Sequence, residues 1–71
     1  MTVRELLEYA EDYSEVKIVK DGKTLFQNGI NSLRDIDKEL LDMTVFRYDY
    51  EIKSSDLAMK AFYNIIVIEV Q

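Results

Sequence analysis

The run Asn64–Val70, which reads Asn-Ile-Ile-Val-Ile-Glu-Val, constrains the fold of this chain more than any other stretch. β-branched side chains are stiff at χ1 and suit a pleated surface better than a helix. Seven residues is an ordinary strand length and short for a helix. Alternation places Ile66, Ile68 and Val70 on one face, and Ile65, Val67 and Glu69 on the other. The first set must meet the main core. The second is apolar enough to call for partial cover, from another segment or from a partner. An exposed apolar strand edge invites aggregation, so this run belongs inside a sheet with a neighbour on each side.

A chain of 71 residues makes one domain, residues 1–71. At this size only ~60% of the unfolded surface is buried, and small domains often add a disulfide or a metal as a staple. With no Cys and no His, neither staple is expected. The same absence removes thiol nucleophiles, Ser-His and Cys-His pairs, and ordinary zinc or haem sites. Carboxylates, Lys, Tyr and Ser are left as possible catalysts, and none stands in a catalytic pattern. The expectation is a protein that is not an enzyme, with no catalytic residues, metal or cofactor. A net charge of −5 disfavours nucleic acid and anionic membranes, whose binding rests on Lys and Arg. No apolar run approaches the ~20 residues of a spanning helix. Acids within the first dozen residues and the lack of an apolar signal region predict a cytoplasmic protein.

Thr2-Val3-Arg4-Glu5 has the spacing of a capping box, and Val3, Leu6, Leu7 and Ala10 then recur at helical intervals. This predicts a helix over Val3–Asp12, with Tyr13 continuing its stripe. Glu15–Asn28 predicts a β-hairpin about Asp21-Gly22. A type I′ turn would pair Lys20 with Lys23, Ile18 with Leu25, and Lys17 with Phe26. A type I turn with a bulge at Gly22 would pair Val19 with Lys23, Ile18 with Thr24, and Val16 with Phe26. Like charges directly opposite are unfavourable, which favours the second register. That register sets Val16, Ile18 and Phe26 on one face. Asp37–Leu41 predicts one or two helical turns, capped by Ser32 or Asp37, with Leu40 and Leu41 closing one end of the sheet. Thr44–Ile52 alternates as a half-buried strand, with Phe46, Tyr48, Tyr50 and Ile52 on one face and Val45, Arg47, Asp49 and Glu51 on the other. Ser55–Phe62 reads as a short helix or a structured loop. The expected architecture is α+β: a small, mainly antiparallel four-stranded sheet with the N-terminal helix on one face and two short helical segments.

Acids gather at Asp35, Asp37, Glu39 and Asp42. The first three have the spacing of a calcium loop, but Leu40 stands where the loop needs Gly and Phe46 where it needs Glu, so a calcium site is not expected. Asp49 and Glu51 share a strand face beside Arg47 and read as a solvated charge ladder. Tyr48 and Tyr50 suit either a core with hydroxyls at its rim or a binding surface, where tyrosine is favoured. Two lone glycines make no phosphate-cradling loop.

The opening Thr-Val-Arg-Glu-Leu-Leu, the hairpin, Lys38-Glu39-Leu40-Leu41-Asp42 and the closing Ile-Val-Ile-Glu-Val follow in an order that resembles small uncharacterised α+β proteins of bacterial phages and mobile elements. Such proteins include inhibitors of host defence, such as anti-CRISPR proteins, many of them short, acidic and non-enzymatic. The resemblance implies an inhibitor that blocks a surface. Together with the charge, it leads to a protein-binding module that occupies a basic, nucleic-acid-binding surface of a host defence protein. The candidate contacts are Asp35, Asp37, Glu39, Asp42, Asp49, Glu51, Tyr48 and Tyr50. A self-associating module, with Ile65 and Val67 forming a homodimer, is the alternative.

Overall fold

A computed structural model describes residues 1–10, 13–54 and 62–71. The elements are helix α1 (Val3–Tyr9), strands β1 (Glu15–Lys20) and β2 (Lys23–Gly29), a 3-10 turn (Leu33–Asp35), helix α2 (Lys38–Leu41), and strands β3 (Val45–Ser54) and β4 (Phe62–Val70). The helix expected over Ser55–Phe62 lies outside the described residues apart from Phe62, which opens β4. The fold is α+β with short helices.

The strands lie in the order β2-β1-β4-β3. β1–β2 and β3–β4 pair antiparallel, but β1 and β4 pair parallel. The sheet is therefore mixed, which corrects the expectation of a mainly antiparallel meander. The physical reason is composition. β1 and β4 carry the fully buried side chains Val16, Ile18, Ile66 and Ile68, and the centre of the sheet is where two such strands bury each other's flanks. Two hairpins joined at these strands place them side by side in one direction, and residues 30–44 carry the chain from one edge of the sheet to the other. Ile36 and Leu41 are buried in that connection, with Leu40 packed beside them, and close one end of the core as expected. β4 has a neighbour on each side, as its composition requires.

Helix α1 begins with the capping box read from the sequence. Thr2 Oγ1 accepts from the Glu5 N–H at 3.2 Å, and Glu5 Oε1 accepts from the Thr2 N–H at 2.9 Å. That second bond holds the Glu5 carboxyl below its ordinary range, with the Thr2 hydroxyl adding to the effect. The helix is shorter than expected: it ends at Tyr9, and Ala10 is already extended. Val3, Leu6 and Leu7 pack onto Val16, Ile18, Ile66, Ile68 and Val70. Tyr13 lies outside the helix yet still meets the core, with its hydroxyl donating to the Leu7 carbonyl at 3.2 Å. Burial, and secondarily Tyr50, raises its pKa. The N-terminus is tied to the start of β3, where Val3 N–H donates to the Met43 carbonyl at 2.9 Å and Val45 N–H to the Met1 carbonyl at 2.8 Å.

The hairpin follows neither expected register. Asp21 has φ 52° and Gly22 φ 78°, the pair of positive values that defines a type I′ turn, and Lys20 faces Lys23. The ladder then shifts between Ile18 and Val19: Val19 faces Thr24 and Ile18 faces Phe26, leaving Leu25 as the extra residue. Without that bulge the large Phe26 ring would point away from the core and Leu25 toward it. With it, Phe26 packs against the core and Leu25 is exposed. The expected grouping of Val16, Ile18 and Phe26 on one face therefore survives a wrong register.

A second bulge lies at the start of β3, where the register shifts between Val45 and Arg47. It corrects the expected alternation. Val45 packs against the core, whereas Phe46 is turned out. Beyond the bulge, Tyr48, Tyr50 and Ile52 lie opposite Ile68, Ile66 and Asn64, and Arg47, Asp49 and Glu51 opposite Glu69, Val67 and Ile65.

A helix is ~10 Å across and strands are ~4.8 Å apart, so one helix covers about two strands of four. The inner residues of β1 and β4 are buried, while the outer strands remain open apart from Phe26 and Val45.

Candidate acidic sheet face

The surface that faces away from α1 is set by the pairing. Its rows are Glu15, Lys17 and Val19 on β1; Ile65, Val67 and Glu69 on β4; and Arg47, Asp49 and Glu51 on β3, with Lys53 at the next register position. Ile65 lies between Glu15 and Glu51, Val67 between Lys17 and Asp49, and Glu69 between Val19 and Arg47. Arg47, Asp49, Glu51, Glu69, Tyr48 and Val67 line one shallow groove. The described side chains on these rows include four carboxylates and two cations.

The charges differ in how they are engaged. Arg47 Nε donates to Glu69 Oε2, which neutralises one carboxylate. The Arg47 guanidinium also lies 5.9 Å from the Phe46 ring centroid, within cation–π range. Asp49 Oδ1 accepts from the Tyr50 N–H at 2.8 Å, and Glu15 Oε2 accepts from Gln27 Nε2 at 3.2 Å. Both donors are neutral, so neither bond offsets the charge of its carboxylate. Ile65 is 2% exposed and supplies no surface to a partner, which leaves Val67 as the apolar floor of the groove.

The second acidic group does different work. Asp35 closes a capping box with Ser32: its Oδ2 accepts from the Asn31 N–H at 2.8 Å and the Ser32 N–H at 3.4 Å. Asp42 pairs with Arg4 and ties the α2 connection to α1. Asp37 sits at the N-cap of α2 with no side-chain capping bond, and Glu39 is exposed. Of the four, two hold the connection in shape and two carry charge alone. The capping pattern Ser-Leu-Arg-Asp was legible in the sequence; the Arg4–Asp42 pair, separated by 38 residues, was not. Among the described residues no three carboxylates converge as a metal site would require.

Tyr48 and Tyr50 lie on the helix side of β3. Their rings meet edge to face with centroids 6.2 Å apart, and both line a groove with Tyr9 and Ala10. Tyr48 is 46% exposed, Tyr50 41%, Phe46 60% and Ile52 73%. The reading of this row as core fails on these values, because α1 does not reach as far as β3. The structure thus keeps the expected β3 residues together, with Asp49 and Glu51 on one face and Tyr48 and Tyr50 on the other, and places Asp35, Asp37, Glu39 and Asp42 in the connection before β3. Tyr9, exposed at the end of α1, joins the aromatic group, and helical spacing alone did not assign it there.

No family model, curated protein or solved structure matches the chain. No helix among the described residues is long and apolar enough to cross a membrane.

Proposed function

We propose that this protein is a non-enzymatic protein-binding module that lays its acidic sheet face on a basic surface of a larger protein. The supporting observation is the row geometry of the face that points away from α1. Glu15, Asp49 and Glu51 flank β4 on both sides, their charges answered only by neutral donors or by none within the described contacts. Strand rows hold these carboxylates on a rigid scaffold. Carboxylates held so can compete for a groove that otherwise takes phosphates, and a net charge of −5 steers the encounter. The biological setting that fits such a module is a cytoplasmic inhibitor carried by a phage or mobile element, blocking the nucleic-acid-binding surface of a host defence protein.

The experiment is affinity capture from host lysate with the wild type and with Glu15→Gln, Asp49→Asn, Glu51→Gln and Glu69→Gln combined. The amides keep the acceptor for the Tyr50 N–H while removing four charges. A captured basic protein that is released by polyanion competitor and lost with the amide variant is the expected result. Capture that is unchanged by the variant and by salt overturns the charge-based reading, since screening contracts to ~3 Å at 1 M salt.

A further inference from the structure

Asn28 and Gly29 close strand β2, which forms one edge of the sheet. Gly29 faces Glu15, the first residue of β1, so the ladder ends at this pair. Both Asn28 and Gly29 are exposed to water. The Gly29 N–H donates to the side-chain Oδ1 of Asn28 at 2.9 Å. That bond places the Gly29 nitrogen at most about 4 Å from Asn28 Cγ, which lies one C=O length, ~1.23 Å, from Oδ1. A near-attack pair stands ~3–3.5 Å apart, and rotation about the Asn28 Cα–C bond reaches it. No strand of the sheet lies on the outer side of β2 to oppose that rotation. Glycine has no Cβ, so the nitrogen is unshielded. A Cβ at this position would stand 3.4 Å from the Ser14 carbonyl oxygen, so the packing favours the residue that also leaves the nitrogen open.

We infer that Asn28 is a site of spontaneous covalent modification, in which the Gly29 nitrogen attacks Asn28 Cγ and the side-chain amide ends as a carboxylate. The Gly29 N–H gives its proton to hydroxide, and the nitrogen forms a bond to Cγ. The Cγ–Nδ2 bond breaks, and Nδ2 takes a proton from water and leaves as ammonia. The cyclic imide is then opened by water at one of its two carbonyls. The sum is one water consumed and one ammonia released, with no oxidant or reductant. The other asparagines lack this arrangement. Asn31 precedes Ser32, whose N–H is drawn to Asp35 Oδ2 at 3.4 Å within the capping box. Asn64 precedes the β-branched Ile65, which is 2% exposed and paired on both sides, with Glu15 and Glu51.

The two ways of opening the ring differ in consequence. Breaking the new bond at Cγ leaves an aspartate at position 28, which keeps an acceptor for the Gly29 N–H and the strand register. Breaking the bond on the backbone side routes the chain through Cβ and Cγ. The chain is then one atom longer, and the Glu15–Gly29 pair loses its alignment. Either product adds a negative charge to a chain that carries −5. The second also disturbs the strand end opposite Glu15, a carboxylate of the acidic face. This inference goes beyond the function proposed above and does not rest on it: capture of a basic partner is independent of whether Asn28 reacts.

The test incubates the folded full-length protein in mildly alkaline buffer, cuts it with trypsin after Lys23 and Arg34, and follows the peptide Thr24–Arg34 by chromatography and mass spectrometry. Conversion at Asn28 is expected at least about tenfold ahead of Asn31 in the same peptide and of Asn64, because only Asn28 holds its attacking nitrogen in reach. The rate should rise about tenfold for each pH unit above neutrality, in step with the ionised fraction of a weakly acidic N–H. Gly29→Ala, checked as folded by circular dichroism, should slow the loss of Asn28 at least about tenfold by shielding the nitrogen. Val67→Ala raises the unfolded population and should leave the rate at Asn28 unchanged, since the folded strand end is what reacts. An Asn28 that stays intact or converts no faster than Asn31 or Asn64, or a rate independent of pH, overturns the proposal. So does a folded Gly29→Ala protein that reacts as fast as wild type, or a Val67→Ala rate that climbs with the unfolded population.

Discussion

Ile68→Ala tests the centre of the fold. Ile68 is 0% exposed, faces Ile18 across β1 and Tyr48 across β3, and meets the Val3, Leu6 and Leu7 layer from α1. The substitution removes three carbons, about 2.4 kcal/mol at ~0.8 kcal/mol per buried methylene. The cavity adds to this, because two hairpins and a short helix clamp the site and it relaxes only in part; the total is about 3–4 kcal/mol. A chain of this length holds about 4–11 kcal/mol in all, at ~0.05–0.15 kcal/mol per residue. The variant thus loses about a quarter or more of its stability, and nearly all of it at the lower end of that range. With a urea slope of ~1 kcal/mol/M, the midpoint should fall by about 3 M. The control is its neighbour Val67→Ala, on the opposite face and only half-buried. It removes two carbons with water already close, and should cost below about 1.5 kcal/mol. A near-native midpoint for Ile68→Ala, or equal shifts for the two variants, would show that the core does not lie between β4 and α1.

Two further outcomes follow from the turn and the first helix. Gly22→Ala places a Cβ at φ 78° and should cost about 1–2 kcal/mol from backbone strain alone, since no atom lies within 4 Å of that Cβ. Lys23→Glu, which turns the Lys20–Lys23 pair into an opposite-charge pair, should instead raise the melting temperature slightly. A Lys23→Glu protein less stable than wild type would reject the type I′ pairing. The Glu5 carboxyl has a folded pKa below its unfolded value, so its contribution is present at neutral pH and is lost as pH falls through the acid range toward the folded pKa. Urea midpoints of wild type and Glu5→Gln should therefore differ at pH 7 and draw together as pH falls below the ordinary glutamate pKa of ~4.3. A gap that persists unchanged at low pH would mean that the capping box is not held by the ionised form.

What could be read from the sequence was what depends on near neighbours. The capping box at Thr2 and Glu5, the strand at Asn64–Val70 and the two faces of that strand are local patterns, and each appears in the fold. What could not be read depends on partners far along the chain. The parallel pairing of β1 with β4 joins Glu15 to Ile65, and no local signal marks it. The bulges at Leu25 and Phe46 were illegible for the same reason: each trades a regular ladder for the burial of one side chain, Phe26 or Val45, against a core assembled from other segments. The candidate contacts divide along the same line. Asp49 and Glu51 keep the shared face that alternation gave them, whereas Asp35 and Asp42, which share a composition with Asp37 and Glu39, became structural through bonds to Ser32 and Arg4.

The two edges of the sheet differ in a way that bears on function. On β2, the N–H of Gly29 is taken by Asn28 Oδ1 at 2.9 Å; on β3, the N–H of Tyr50 is taken by Asp49 Oδ1 at 2.8 Å. Both edges thus use a short side chain to occupy a backbone donor, a device that discourages stray strand pairing. Their surfaces are otherwise unlike. β2 shows water Lys23, Thr24, Gln27 and Asn28, with Leu25 the single exposed apolar side chain. β3 shows Phe46, Tyr48, Tyr50 and Ile52, with Tyr9 of α1 beside them. Isolated exposed apolar residues call for no explanation, but a contiguous aromatic row does. Apolar surface that stays wet in the folded chain adds little to folding, so the fold alone does not account for this composition on one edge and polar residues on the other.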